Sequence, residues 1–190
     1  MPRMRILAAC VSVALSGALT QACASSTAAE DAAPVSAAAS SEITAAPLPA
    51  GSVRIDGAVE NPLALSGDQL RAFPAQTQAV QFESGTGTQS HIYDGTALTE
   101  ILDAAKLRTP SDVKNPELTF AVLATGSDGY SAAVSWGELS PKFGATPILV
   151  AYTEDGRPLD APRLVVPGDV KGGRYVSELT GLRVVDLRAS

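Results

Sequence analysis

The chain has 190 residues, 45% of them hydrophobic and 18% charged, the balance of an ordinary folded protein and about the length of one domain. Its net charge of -6, from 14 Lys and Arg against 20 Asp and Glu, disfavours nucleic-acid binding, which needs clustered cations to meet phosphates. His91 is the single histidine and both cysteines, Cys10 and Cys23, lie near the N-terminus, so a histidine or cysteine metal site, or a supported Ser/His/Asp triad, has little material in the rest of the chain.

Residues 1–24 have the three-part layout of a secretory signal peptide: Arg3 and Arg5, then the apolar run ILAACVSVALSGAL, then small residues. The run is short for a membrane span, which needs ~20 apolar residues. Two processing routes fit LTQACASS. Ala22 and Ala24 form an A-x-A cleavage site, whereas Leu19 and Ala22 before Cys23 resemble a lipoprotein signal in which Cys23 becomes the lipid-modified first residue. Thr20 departs from the Leu usual three residues before that cysteine, but the Ala/Ser-rich stretch after it is the spacer lipoproteins use, and this favours lipidation. Residues 25–50 carry no periodic apolar pattern and read as a disordered tether. The folded domain is expected over 51–190, enough for one core.

Within it, Val53, Ile55 and Val59 predict a strand broken at Gly57 and stopped by Pro62. Ser66 with Gln69 three residues on is a capping box opening a short helix before Pro74. TQAVQFESGTGTQSHIYDG predicts a hairpin about Gly85 and Gly87, with Val80 and Phe82 sharing one face and His91 and Tyr93 sharing another. Thr96 is expected to cap the clearest helix, whose stripe is Leu98, Ile101, Leu102 and Ala105. A strand pair about GSDG follows, then a second capping box, Ser135 with Glu138, for one turn of helix. Trp136, Tyr130 and Phe143 are expected to form core around it. Asp155-Gly156 reads as a hairpin turn, and the C-terminus as a strand, a glycine loop and a last strand with Leu182, Val184 and Leu187 inward. The fold class is therefore α+β, a mixed and mostly β core with about three short helices.

Over residues 52 to 188 these patterns together resemble the oxidoreductase molybdopterin-binding domain of sulfite-oxidase type proteins. The resemblance is carried by VRIDGAVENPLALSGDQLRAFP, YDGTALTEILDAA, GYSAAVSWGEL and, most specifically, PILVAYTEDGRPLDAPRLVVPGDVKGGRYVSELTGLRV. It implies the sulfite-oxidase fold and a pyranopterin site. In catalytic members a cysteine thiolate at the end of the strand matching AVQFES binds molybdenum, and here Glu83 and Ser84 stand at that place. Members that bind the pterin carry Lys three residues beyond the loop arginine. Here Ser177 takes that position after Arg174, and Glu178 beside it adds a charge that repels phosphate.

The loop PGDVKGGR is the best anion-binding candidate, since its glycines free backbone N–H groups and Lys171 and Arg174 add charge; a solvated glycine turn is the plainer reading. Candidate cofactor-binding residues are His91, Lys171, Gly172, Gly173 and Arg174, while a structural role for His91 is the default. No catalytic residue and no metal ligand is assigned, and Asp128 and Asp169 read as turn residues. The sequence points to a periplasmic, lipid-anchored protein with a cofactor-degenerate module that binds an envelope protein or a small ligand. The alternative is an oxidoreductase subunit that keeps molybdopterin without a cysteine. If the site is inherited, the end of AVQFES, the strand at His91 and PGDVKGGR converge on one cleft, with Glu83, Ser84, His91, Lys171 and Arg174 near its rim.

Overall fold

A computed structural model describes residues 48–188. Residues 1–47, with the expected signal peptide, Cys23 and most of the expected tether, lie outside the described residues.

Nine strands and three helices alternate along the described chain: β1 (Val53–Gly57), β2 (Leu63–Leu65), α1 (Gly67–Arg71), β3 (Ala75–Ser84), β4 (Gly87–Ala97), α2 (Leu98–Ala105), β5 (Phe120–Gly126), β6 (Ser131–Ser135), α3 (Trp136–Leu139), β7 (Leu149–Glu154), β8 (Arg157–Val165) and β9 (Leu179–Asp186). They build a five-stranded sheet in the order β2-β1-β9-β5-β6 and a four-stranded sheet in the order β3-β4-β7-β8. The α+β reading holds.

The main core lies where Ile55, Phe120, Val122 and Leu182 of the first sheet meet Val150 and Leu164 of the second, with the stripe Leu98, Ile101, Leu102 of α2 packed in. The run ILVA is buried on both sides because successive side chains of a strand point to opposite faces. Ile148 and Val150 enter the main core, while Leu149 and Ala151 join Val80, Tyr93 and Val165 in a smaller cluster on the other face. β1 stops at Gly57 for a steric reason: its φ is 91°, and a Cβ there would sit 2.1 Å from the Val184 carbonyl oxygen. Asp155 and Gly156, with φ of 51° and 74°, make the tight turn that joins β7 to β8.

Both capping boxes form, Ser66 with Gln69 and Ser135 with Glu138. Three expectations need correction. Thr96 does not cap α2: it is the buried penultimate residue of β4, paired with Val150, and its hydroxyl donates to the Leu70 carbonyl at 2.8 Å. The sheet claims Thr96 first, and the Leu98 N–H at the helix start is met by the Ile148 carbonyl instead. Of the three aromatic residues assigned to core, only Trp136 packs against it; Tyr130 and Phe143 are about half exposed, Tyr130 because its ring leaves the β5–β6 turn toward the loop at Gly173. Leu187 is exposed because it lies one residue past the end of β9.

Candidate functional site

The end of β3 and the loop after β8 meet, although they are far apart in sequence. The Glu83 N–H donates to the Val170 carbonyl at 2.8 Å, and Glu83 and Lys171 form a parallel bridge. Gly172 then lies directly on the Phe82 ring, where a Cβ would come within 2.7 Å. Phe82 stacks on Tyr175 with ring centroids 4.4 Å apart, and His91 and Tyr93 continue this aromatic layer at 5.8 Å from each other. One further contact fastens the loop: the Tyr130 hydroxyl donates to the Gly173 carbonyl.

Arg174 does not face solvent as a bare cation. Its Nε and Nη2 donate to the two oxygens of Asp169 at 2.9 and 2.6 Å, and its Nη1 donates to Glu138 Oε1 at 2.9 Å. The two carboxylates hold the guanidinium pKa well above its ordinary value. Burial pushes the Glu138 carboxyl up, but the Arg174 and Ser135 hydrogen bonds outweigh it and leave it below the usual range. The second oxygen of the α3 capping glutamate thus reaches a loop that the capping pattern does not reveal. Asp169, read as a turn residue, has the same task.

Glu83 is exposed and accepts a hydrogen bond from the Thr88 hydroxyl across the hairpin. Ser84 is spent within the same turn, its hydroxyl donating to the Gly87 carbonyl at 2.9 Å and accepting from the Thr86 N–H at 3.2 Å. Lys171 is exposed and makes no ion pair with any described residue. Ser177 is exposed, and Glu178 turns away from Arg174: its carboxylate takes the Ser127 hydroxyl and lines a different groove, beside Thr125 and Arg54.

His91 occupies a separate network. Its Nδ1 lies 2.8 Å from Asp155 Oδ2 and 3.3 Å from Glu154 Oε1. Asp155 also accepts the Ile92 N–H at 2.9 Å, and this bond, with His91, holds its carboxyl below the usual range. Glu154 in turn accepts from the Tyr93 hydroxyl at 2.7 Å and from Arg163 Nη1 at 3.1 Å. Tyr93 is fully buried, and burial followed by the Glu154 bond pushes its hydroxyl up to about 12. The sequence reading set Tyr93 on the face of His91 without a role and did not find Glu154 or Arg163. The concavity at His91, about 500 Å³, is lined by Ala79, Val80, Gln81, Ser90, Ile92 and Asp155, and by none of the other four candidates. His91 is drawn to the β7–β8 turn by Asp155, while the loop is drawn to α3 by Arg174.

The domain nevertheless matches the family model described as the oxidoreductase molybdopterin binding domain over residues 51–189. The chain belongs to this family. Among solved structures it is similar to the sulfane dehydrogenase SoxCD from Paracoccus pantotrophus, with a TM-score of 0.59 and 20% identity, covering 71% of this chain and 38% of that one. At that identity the likeness speaks for the fold. No curated protein matches the chain in sequence.

The family implies a molybdopterin, and the residues that the sequence resemblance assigns to its site do not fit one. A soft metal centre asks for a thiolate, and the position offers Glu83, a hard carboxylate already bonded to Thr88. No three His, Cys, Asp or Glu side chains gather as a metal site among the described residues. The cofactor's phosphate asks for open cations, and Arg174 is matched by two carboxylates. The Tyr175 hydroxyl, buried without a hydrogen-bond partner among the described residues, is a single donor and does not make up the difference.

Proposed function

We propose that this protein is an exported, lipid-anchored envelope protein whose molybdopterin-binding-type domain has lost the cofactor and works as a binding module for an envelope protein or small ligand. The observation that carries this is Arg174: the residue best placed to hold the cofactor's phosphate is held by Asp169 and Glu138. Glu83 in the thiolate position supports the same reading. Export and lipidation rest on the layout of residues 1–24 and on Cys23, and no helix among the described residues is long and apolar enough to cross a membrane.

The competing reading, a molybdopterin-dependent oxidoreductase subunit, is favoured by Lys171, an exposed cation bridged to the strand end at Glu83. Metal analysis and absorption spectroscopy of the protein purified from its own host separate the two. Absence of molybdenum and of a pterin chromophore is the expected result, and stoichiometric amounts of either overturn the proposal. For the anchor, Cys23→Ser is expected to release the protein from the membrane fraction. Unchanged mass and unchanged membrane association would rule lipidation out.

A further inference from the structure

Along β3 the four-stranded sheet has an edge that the described residues leave open. β3 pairs with β4 along its whole length, from Ala75↔Thr96 to Ser84↔Gly87, without a register shift. On its other side the Glu83 N–H is taken by Val170. An extended strand sends its backbone groups to alternate edges with period two, so this outward N–H fixes the direction of the rest. Ala75, Thr77, Ala79 and Gln81 also turn their N–H and C=O away from β4, and no described residue bonds them from that side. Soluble proteins blunt such an edge with Lys, Pro, a bulge or a short strand. Between Ala75 and Phe82 this edge has none of these and no charge.

We propose that a second copy of this chain pairs here, β3 against β3 and antiparallel about a two-fold axis, joining two four-stranded sheets into one. The occupant follows from where the opening ends and from its charge. Val170 and Lys171 close the edge at Glu83, so the free stretch runs from Ala75 to Gln81 and its midpoint is Gln78. In the antiparallel register centred on Gln78, Ala75 faces Gln81 and Thr77 faces Ala79. Every outward-directed residue then meets another outward-directed residue, and each open N–H finds a carbonyl. In this register a charge at Gln78 would face its own copy, and like charges at Ala75 and Gln81 would face each other. The neutrality of the strand removes that repulsion in a chain of net charge -6. Side chains agree with this occupant. Ile92, 51% exposed, stands opposite the small Ala79 in the β3–β4 register, and can lean across it toward Thr77 of the second copy.

Sedimentation analysis of the processed full-length protein at micromolar concentrations tests the pairing. A dimer is expected, and A75K/Q81K, which sets like charges across both ends of the contact, is expected to weaken it at least tenfold while the circular dichroism of the folded monomer stays unchanged. A75K/Q81E, which sets opposite charges across the same pairs, is expected to restore it. Hydrogen exchange should find the Thr77, Ala79 and Gln81 amides protected in the dimer and exchanging in A75K/Q81K. A wild-type monomer at every concentration overturns the proposal, as does a dimer that A75K/Q81K leaves intact or amides that exchange freely in the dimer.

Discussion

Arg174 donates three hydrogen bonds into two carboxylates, and those carboxylates come from elements that the sequence reading treats separately, a glycine loop and the cap of a one-turn helix. Its partner Glu138 is 36 residues away, and His91 and Asp155 are 64 apart, so neither pairing follows from local spacing. That Glu83 lies at the end of a strand was legible from the run AVQFES before the glycines. Removing a partner of a half-buried charge leaves that charge underpaired, so Asp169→Ala is expected to lower unfolding free energy by about 2 kcal/mol in urea denaturation. Tyr175→Phe should do the reverse. The hydroxyl is buried with no bond to any described residue, and its removal is expected to raise stability by about 1 kcal/mol in the same measurement.

Among the elements, the capping boxes and the apolar stripe of α2 were legible because they are local patterns, set by neighbours no more than four residues apart. Thr96 was misread for the same reason. Its position suits a cap, but pairing with Val150 and a bond to Leu70 hold it in the sheet, and both partners are distant in sequence. Glycines at element ends show what close approach requires. Gly57→Ala would set a methyl against the Val184 carbonyl at a left-handed φ, and a loss of about 3 kcal/mol or more is expected from thermal or urea unfolding. At Gly172 the obstacle is the Phe82 ring, so Gly172→Ala should lift the loop from β3. The amide of Glu83, which donates to Val170, would then exchange faster with solvent.

For the whole molecule, the shifted groups set the pH limits. Bonds hold the carboxyls of Asp94, Glu138, Asp155 and Asp186 below their ordinary values, the last at about 2. Their contribution is complete above the unfolded carboxylate pKa of about 4 and is lost as pH falls through the folded values. Tyr93 and Tyr175 are pushed up to about 12, both by burial first, so between about 10 and 12 the unfolded chain releases protons that the folded chain keeps. Urea midpoints are therefore expected to be flat through neutral pH, falling on the acid side below about 4 and on the alkaline side above about 10. Tyr175→Phe should shallow the alkaline limb alone.

The five-stranded sheet places its last strand in the middle. β9 lies between β1, with which it runs parallel, and β5, so the first and last strands of the domain are neighbours. Until β9 arrives, the sheet is two unconnected hairpins, β1–β2 and β5–β6, each too small to hold together in water. A ribosome must release β9 before this domain can close, so the part of the chain that precedes it stays threadable until then. On the proposed route out of the cell, that delay keeps the chain in the extended form a translocation pore accepts.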